Sequence, residues 1–137
     1  MSKEKFLLDV NVLVALASED HVHHNLVLKW FRASGRRNWG ACAFTEAGFL
    51  RVSTRPGTGD RSVSEATELL ARLVALPGFH YWPIEVDWST LAAPFRGRIF
   101  GHQQITDVYL LGLAVREDGV LVTLDKGIIF LAGERYR

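Results

Sequence analysis

Strand-length apolar runs alternate with helix-length segments along this chain, and four acidic residues stand at the edges of apolar runs. They are Asp9 after Phe6-Leu7-Leu8, Glu46 before Phe49-Leu50, Asp107 before Val108-Tyr109-Leu110-Leu111, and Asp125 after Val120-Leu121-Val122-Thr123-Leu124. A carboxylate beside a buried segment is costly unless something compensates its charge. Several of them brought together by a fold repel one another and attract a divalent cation. The pattern therefore points to a metal-dependent enzyme acting on phosphate esters.

Residues 5–10 read as a buried strand and residues 12–17 as a short helix. A second helix opens at Asp20 or His21 and runs to about Ser34, with Leu26, Trp30 and Ala33 inward and Gly35 as its stop. Residues 39–44 read as a strand. Thr45 caps a helix carrying Ala47, Phe49, Leu50 and Val52, which ends before Pro56. Residues 54–61 form a loop. Ser62 and Glu65 make a capping box for a helix whose inner stripe is Val63, Ala66, Leu70, Leu73 and Val74. Residues 79–84 are a third strand and 89–95 a short helix. Thr106 caps a nearly all-apolar helix that ends at Gly119. Residues 120–124 are a fourth strand, and the last dozen residues fit either a helical turn or a weak edge strand.

This alternation implies one domain over residues 1–137, built as a three-layer α/β/α fold around a parallel sheet of four or five strands. Such folds place their sites beyond the carboxyl ends of the strands. Asp9 and Asp125 fall there directly, while Glu46 and Asp107 occupy first turns of helices. Taken singly, each acid is also explained as a helix cap, a dipole partner or a turn former. Asn11 either orients a carboxylate or caps a helix locally. Thr106 and Thr123 read as capping and strand residues. His21, His23 and His24 are spaced poorly for convergence on one ion.

Composition narrows the classes further. A chain of 137 residues with 48% hydrophobic and 23% charged residues buries a core and is not disordered. No apolar run reaches the roughly 18 residues of a membrane span. The start Met1-Ser2-Lys3-Glu4-Lys5-Phe6-Leu7-Leu8-Asp9 has a charge where a signal peptide needs its apolar stretch, so a cytoplasmic location is expected. Cys42 has no second cysteine to pair with, which fits a reducing compartment. With the four acids set aside, 16 basic residues face 11 acidic ones, a balance of +5. An acidic pocket on a basic surface suits a polyanion. The basic residues cluster as Arg32, Arg36 and Arg37, then Arg51, Arg55 and Arg61, then Arg96 and Arg98. Phosphate-binding glycine loops and serine-hydrolase motifs do not occur.

Four motifs in order resemble the PIN-domain ribonucleases, and within them the toxins of VapBC-type toxin–antitoxin pairs. They are Asp9-Val10-Asn11, Thr45-Glu46 with Phe49-Leu50-Arg51, Ile105-Thr106-Asp107, and Thr123-Leu124-Asp125-Lys126-Gly127. The resemblance implies a Mg2+- or Mn2+-dependent endoribonuclease toxin. Asp9, Asp107 and Asp125 would hold the ion, Glu46 would position or deprotonate the attacking water, and Asn11 would orient these groups. Arg51 and Arg55 would hold the RNA backbone. It also implies a VapB-type antitoxin lying in a groove that includes Leu13, Leu16, Trp30 and Phe49, and a homodimer. The alternatives are a haloacid dehalogenase-like phosphatase, whose second aspartate is replaced here by Asn11, and a non-catalytic RNA- or protein-binding module on the same fold.

Overall fold

A computed structural model describes residues 4–99 and 101–125 of the chain. The fully buried run Phe6–Leu8 forms β1. It stops short of residue 10 because the Asp9 carboxylate accepts the Val10 amide at 2.8 Å and opens α1 (Val10–Ala17) two residues earlier than expected. Trp39–Ala41 forms β2, Phe79–Tyr81 β3 and Val120–Val122 β4. All pair in parallel in the order β3-β2-β1-β4, with Phe6 beside both Trp39 and Val120.

Alternate residues of β1 face opposite layers, as the pleat requires. Phe6 and Leu8 join a core with residues of α1, α2 (His24–Ala33), α3 (Ala43–Thr54) and α4 (Val63–Val74). Leu7 instead joins Cys42, Trp82, Leu110 and Leu113 on the other face, where α6 (Ile105–Arg116) lies. A short α5 (Trp88–Ala92) and the 3-10 turn that follows pack on α6 through Ala92, Phe95, Val108 and Leu111. The three-layer α/β/α architecture with a four-stranded parallel sheet is thus the one expected. The proposed fifth strand, with Lys126 and Gly127, lies outside the described residues.

Several local expectations are corrected. The second helix opens at His24, not near Asp20, because the histidines are used up in a turn. The His23 amide donates to His21 Nδ1 at 3.0 Å, and His24 Nδ1 lies 2.7 Å from the Ala15 carbonyl. The buried stripe of α2 is Val27 and Phe31, which turns Leu26 outward to 62% exposure. Val63, expected inside, is 69% exposed at the first position of α4, although the Ser62–Glu65 capping box forms. Thr45 is not a cap: α3 opens at Ala43, and the Thr45 hydroxyl accepts the Cys42 amide at 2.9 Å from within the first turn. Thr106 likewise lies inside α6, which continues directly from a 3-10 turn at His102–Gln104. Leu13 and Phe49, expected along an open groove, are buried in the core between α1 and its neighbours.

Candidate active site

The chain passes from β1 to β2 to β3 on one side, then returns across β1 to lay β4 on the other. Adjacent parallel strands whose connections leave in opposite directions open a crevice at their carboxyl ends. Asp9 follows β1 and Thr123 follows β4 at that crevice, and the Asp9 amide donates to the Val122 carbonyl at 2.9 Å.

Asp9 is 7% exposed, so its carboxylate needs partners. One oxygen accepts the Val10 amide, and the other accepts the Thr123 hydroxyl at 2.8 Å. Burial pushes the acid above its ordinary pKa, these two bonds pull it down, and the charge of Asp125 pushes it up again. The cap reading of Asp9 is met, and the same carboxylate stands at the crevice. The Thr123 oxygen in turn accepts the Asp125 amide at 2.9 Å, so one hydroxyl ties the first acid to the turn bearing the last. Asn11 does not cap its own helix; its side-chain oxygen lies 3.3 Å from the Leu124 amide that donates to it. It thereby fastens the end of β4 to α1.

Asp107 stands half-buried in the first turn of α6. Burial, first, and then the charges of Asp9 and Asp125 push its pKa up to about 6. Three acids more than 90 residues apart in sequence at their extremes thus bear on one another across the crevice. Among the described residues no three His, Cys, Asp or Glu side chains close around a single point, so the carboxylates as placed surround the crevice without forming a finished cage. Their chemistry fits a hard divalent cation, which takes carboxylate oxygens and keeps several waters.

Of Glu46, only the position of its helix bears on this region. Glu46 is half-buried in the first turn of α3, and Gly48 of that helix abuts Val10, next to Asp9. A Cβ on Gly48 would fall 2.4 Å from Val10 Cγ2, so only glycine lets α3 come this close to α1. Arg51 and Arg55 are exposed at the far end of α3. Arg51 is five residues beyond Glu46, about 140° around a helix of 3.6 residues per turn, and the two do not share a face. The Arg55 carbonyl accepts the amides of Thr58, Gly59 and Asp60, which makes the loop presenting these arginines a compact one.

Thr123, read from the sequence as a strand residue, instead lies just past β4 and holds Asp9 and the Asp125 amide. The signal was a hydroxyl two positions before the last acid, just where β4 ends. Among the described residues, no helix is long and apolar enough to cross a membrane.

Comparison with known proteins agrees with this fold. The family model of the PIN domain matches residues 6–133. The chain is 40% identical over 131 residues to Ribonuclease VapC38 of Mycobacterium tuberculosis, covering 94% of this chain and 91% of the relative. It is 40% identical over 127 residues to Ribonuclease VapC44 of the same organism, covering 92% and 89%. Among solved structures, that of Mycobacterium tuberculosis VapC20, a sarcin-ricin loop cleaving toxin, superposes with a TM-score of 0.59 over 90% of this chain and 92% of that one. Its 13% identity speaks for the fold alone. A family match over nearly the whole chain and relatives at 40% identity establish that the chain belongs to the PIN-domain family as a VapC-type ribonuclease.

Proposed function

We propose that this chain is a Mg2+- or Mn2+-dependent endoribonuclease that acts as the toxin of a toxin–antitoxin pair. The observation that carries this reading is the meeting of Asp9, Asp107 and Asp125 at the crevice between β1 and β4, where burial first, and then the charges of Asp9 and Asp125, push Asp107 up to about 6. A bound divalent cation would supply the missing positive charge and Lewis-acid polarisation of the scissile phosphate and the attacking water.

The chain's own residues do the rest. Asp9, Asp107 and Asp125 offer the oxygens that hold the ion. Thr123 fixes the orientation of Asp9, and Asn11 fixes the strand end that carries Asp125. Glu46 positions the attacking water and accepts its proton. The water oxygen bonds to phosphorus in line with the departing 3′ oxygen, which leaves with a proton as a 3′-hydroxyl, and the other product keeps a 5′-phosphate. The ribose 2′-hydroxyl takes no part as nucleophile. Arg51 and Arg55, exposed at the far end of α3, hold the RNA backbone away from the acids. Family membership favours this reading over the phosphatase and over a non-catalytic binding module.

A VapB-type antitoxin, a homodimer and a cytoplasmic location complete the proposal and rest on the VapC relatives. The test is cleavage of RNA by the purified protein in Mn2+, Mg2+ and EDTA, with mapping of the new ends. Loss of cleavage in Asp9→Asn with an unchanged fold, and 5′-phosphate ends in the wild type, are expected. Products bearing 2′,3′-cyclic phosphate would refute the water-attack scheme.

A further inference from the structure

No acidic residue occurs between Asp20 and Glu46, and that stretch carries Lys29, Arg32, Arg36 and Arg37. Lys29 and Arg32 lie on α2, and Arg36 and Arg37 on the 3-10 turn Gly35–Arg37 that continues it; all four are exposed. Helix rise sets Lys29 and Arg32 about 4.5 Å apart along the axis, with Arg36 roughly one turn further on. Arg36 is held in place by its Nε, which donates to the Arg32 carbonyl at 3.1 Å. The ion pairs among the described residues are Lys5–Glu117 and Arg72–Glu68, and neither draws on this group. The neighbouring α1 contributes no charged residue to the patch.

The location matters as much as the charge. Arg37 precedes Asn38, whose carbonyl accepts the Phe6 amide at the start of β1. Because the sheet is parallel, this is the edge opposite the crevice that holds Asp9, Asp107 and Asp125. The patch is therefore not a rim of the candidate active site.

We infer that the Lys29–Arg32–Arg36–Arg37 face is a second RNA-binding surface, which grips the backbone of a structured RNA at a distance from the acids. The inference rests on the ribonuclease reading. Three of the four cations are arginines, whose planar forks match phosphate oxygens in a way that a lysine ammonium does not. A row of unpaired cations binds backbone without reading bases, so this surface selects substrates by length and shape. A short single strand occupies the crevice alone, whereas a folded RNA reaches both.

The test uses the full chain with its four cations replaced by glutamine (K29Q, R32Q, R36Q, R37Q). Binding is read by fluorescence anisotropy in EDTA against an RNA hairpin of about 20 base pairs, longer than the ~16 that a double-stranded-RNA domain spans. Cleavage of a short single-stranded oligonucleotide in Mn2+ is read in parallel. Hairpin affinity should fall at least ten-fold, and the slope of log K against log salt should shrink by about 3.6, given ~0.9 for each of four phosphate contacts on duplex DNA. Cleavage of the short strand should stay within two-fold of wild type. Unchanged hairpin affinity and slope would overturn the inference, as would an equal loss with both RNAs. Should the fourfold variant melt early, Lys29→Glu and Arg37→Glu singly carry the same readouts. Val22, in the turn before α2, and Leu26, in its first turn, are 85% and 62% exposed and provide the contrast. If V22S/L26S weakens hairpin binding and the glutamine variant does not, α2 presents an apolar docking face and the inference falls. A wild type that cuts neither RNA would instead sink the ribonuclease reading itself.

Discussion

The Thr123 hydroxyl donates to Asp9 at 2.8 Å across 114 positions of sequence, and the same oxygen accepts the Asp125 amide. The last strand of the sheet is thereby locked to the acid at the end of the first. A hydrogen bond to a buried charge contributes about 1.5–3 kcal/mol. Thr123→Val should therefore lower stability by about that amount and slow cleavage roughly 10–100-fold, the usual cost of losing a group that orients a metal-holding side chain. Thr123→Ser should retain most of both. Thermal melts and kcat measured on the pair check this; equal activity in the two variants would remove Thr123 from any positioning role.

Asp107 fixes the sign of a pH effect. Its folded-state pKa of about 6 lies above the ordinary 3.8, so the native state binds the proton more tightly than the unfolded chain does. Stability from this group is fully present below pH ~3.8 and is lost as pH rises through ~6. Cleavage needs the ionised form and should climb between pH 5 and 7. Asp107→Asn should abolish cleavage yet raise the melting temperature at pH 7.5 in EDTA, and that gain should shrink at pH 5. Millimolar Mg2+ should stabilise the wild type at pH 7.5 more than it stabilises Asp107→Asn. Differential scanning fluorimetry over this grid of pH and cation decides the matter.

Gly48 sets the spacing between the helix of Glu46 and the helix capped by Asp9. Gly48→Ala should cost about 1–3 kcal/mol by overpacking against Val10. Trimming the opposing residue makes room, so Val10→Ala combined with Gly48→Ala should be less destabilised than the sum of the single changes. If the approach of α3 matters for Glu46, cleavage should drop in Gly48→Ala and recover in the double variant. A double-mutant cycle in both stability and rate measures it.

Asn11 receives the Leu124 amide, and Asn11→Ala leaves that donor without its side-chain partner. The expected loss is about 1 kcal/mol. Hydrogen exchange at the Leu124 amide should quicken, while the amides of β1 stay protected.

The strand–helix alternation and the four acids were readable because both rest on local patterns: an apolar run, a charge at its end, a glycine or proline beyond. Ser62 and Glu65 were readable for the same reason. The side of α2 that faces the core was not, because Leu26 and Val27 are adjacent apolar residues and only the packing of Phe31, one turn beyond Val27, on Trp39 chooses between them. The start of α3 was misplaced because the Thr45 hydroxyl does the work expected of a cap from three residues inside. Thr123 was read as a strand residue because its partner is at the opposite end of the sequence. Asn11, read as either a carboxylate partner or a local cap, instead accepts the Leu124 amide, a partner 113 positions away that no local pattern shows.

Strand order has a consequence in time. In a chain leaving the ribosome, Asp9 emerges first, and β1, β2 and β3 have all been made before β4 can slot in beside β1. Until Thr123 has cleared the exit tunnel and that strand has docked, Asp9 lacks its hydroxyl partner and the crevice has one wall. A half-made chain, still esterified to its transfer RNA in the ribosome, therefore carries Asp9 and Glu46 without the pocket.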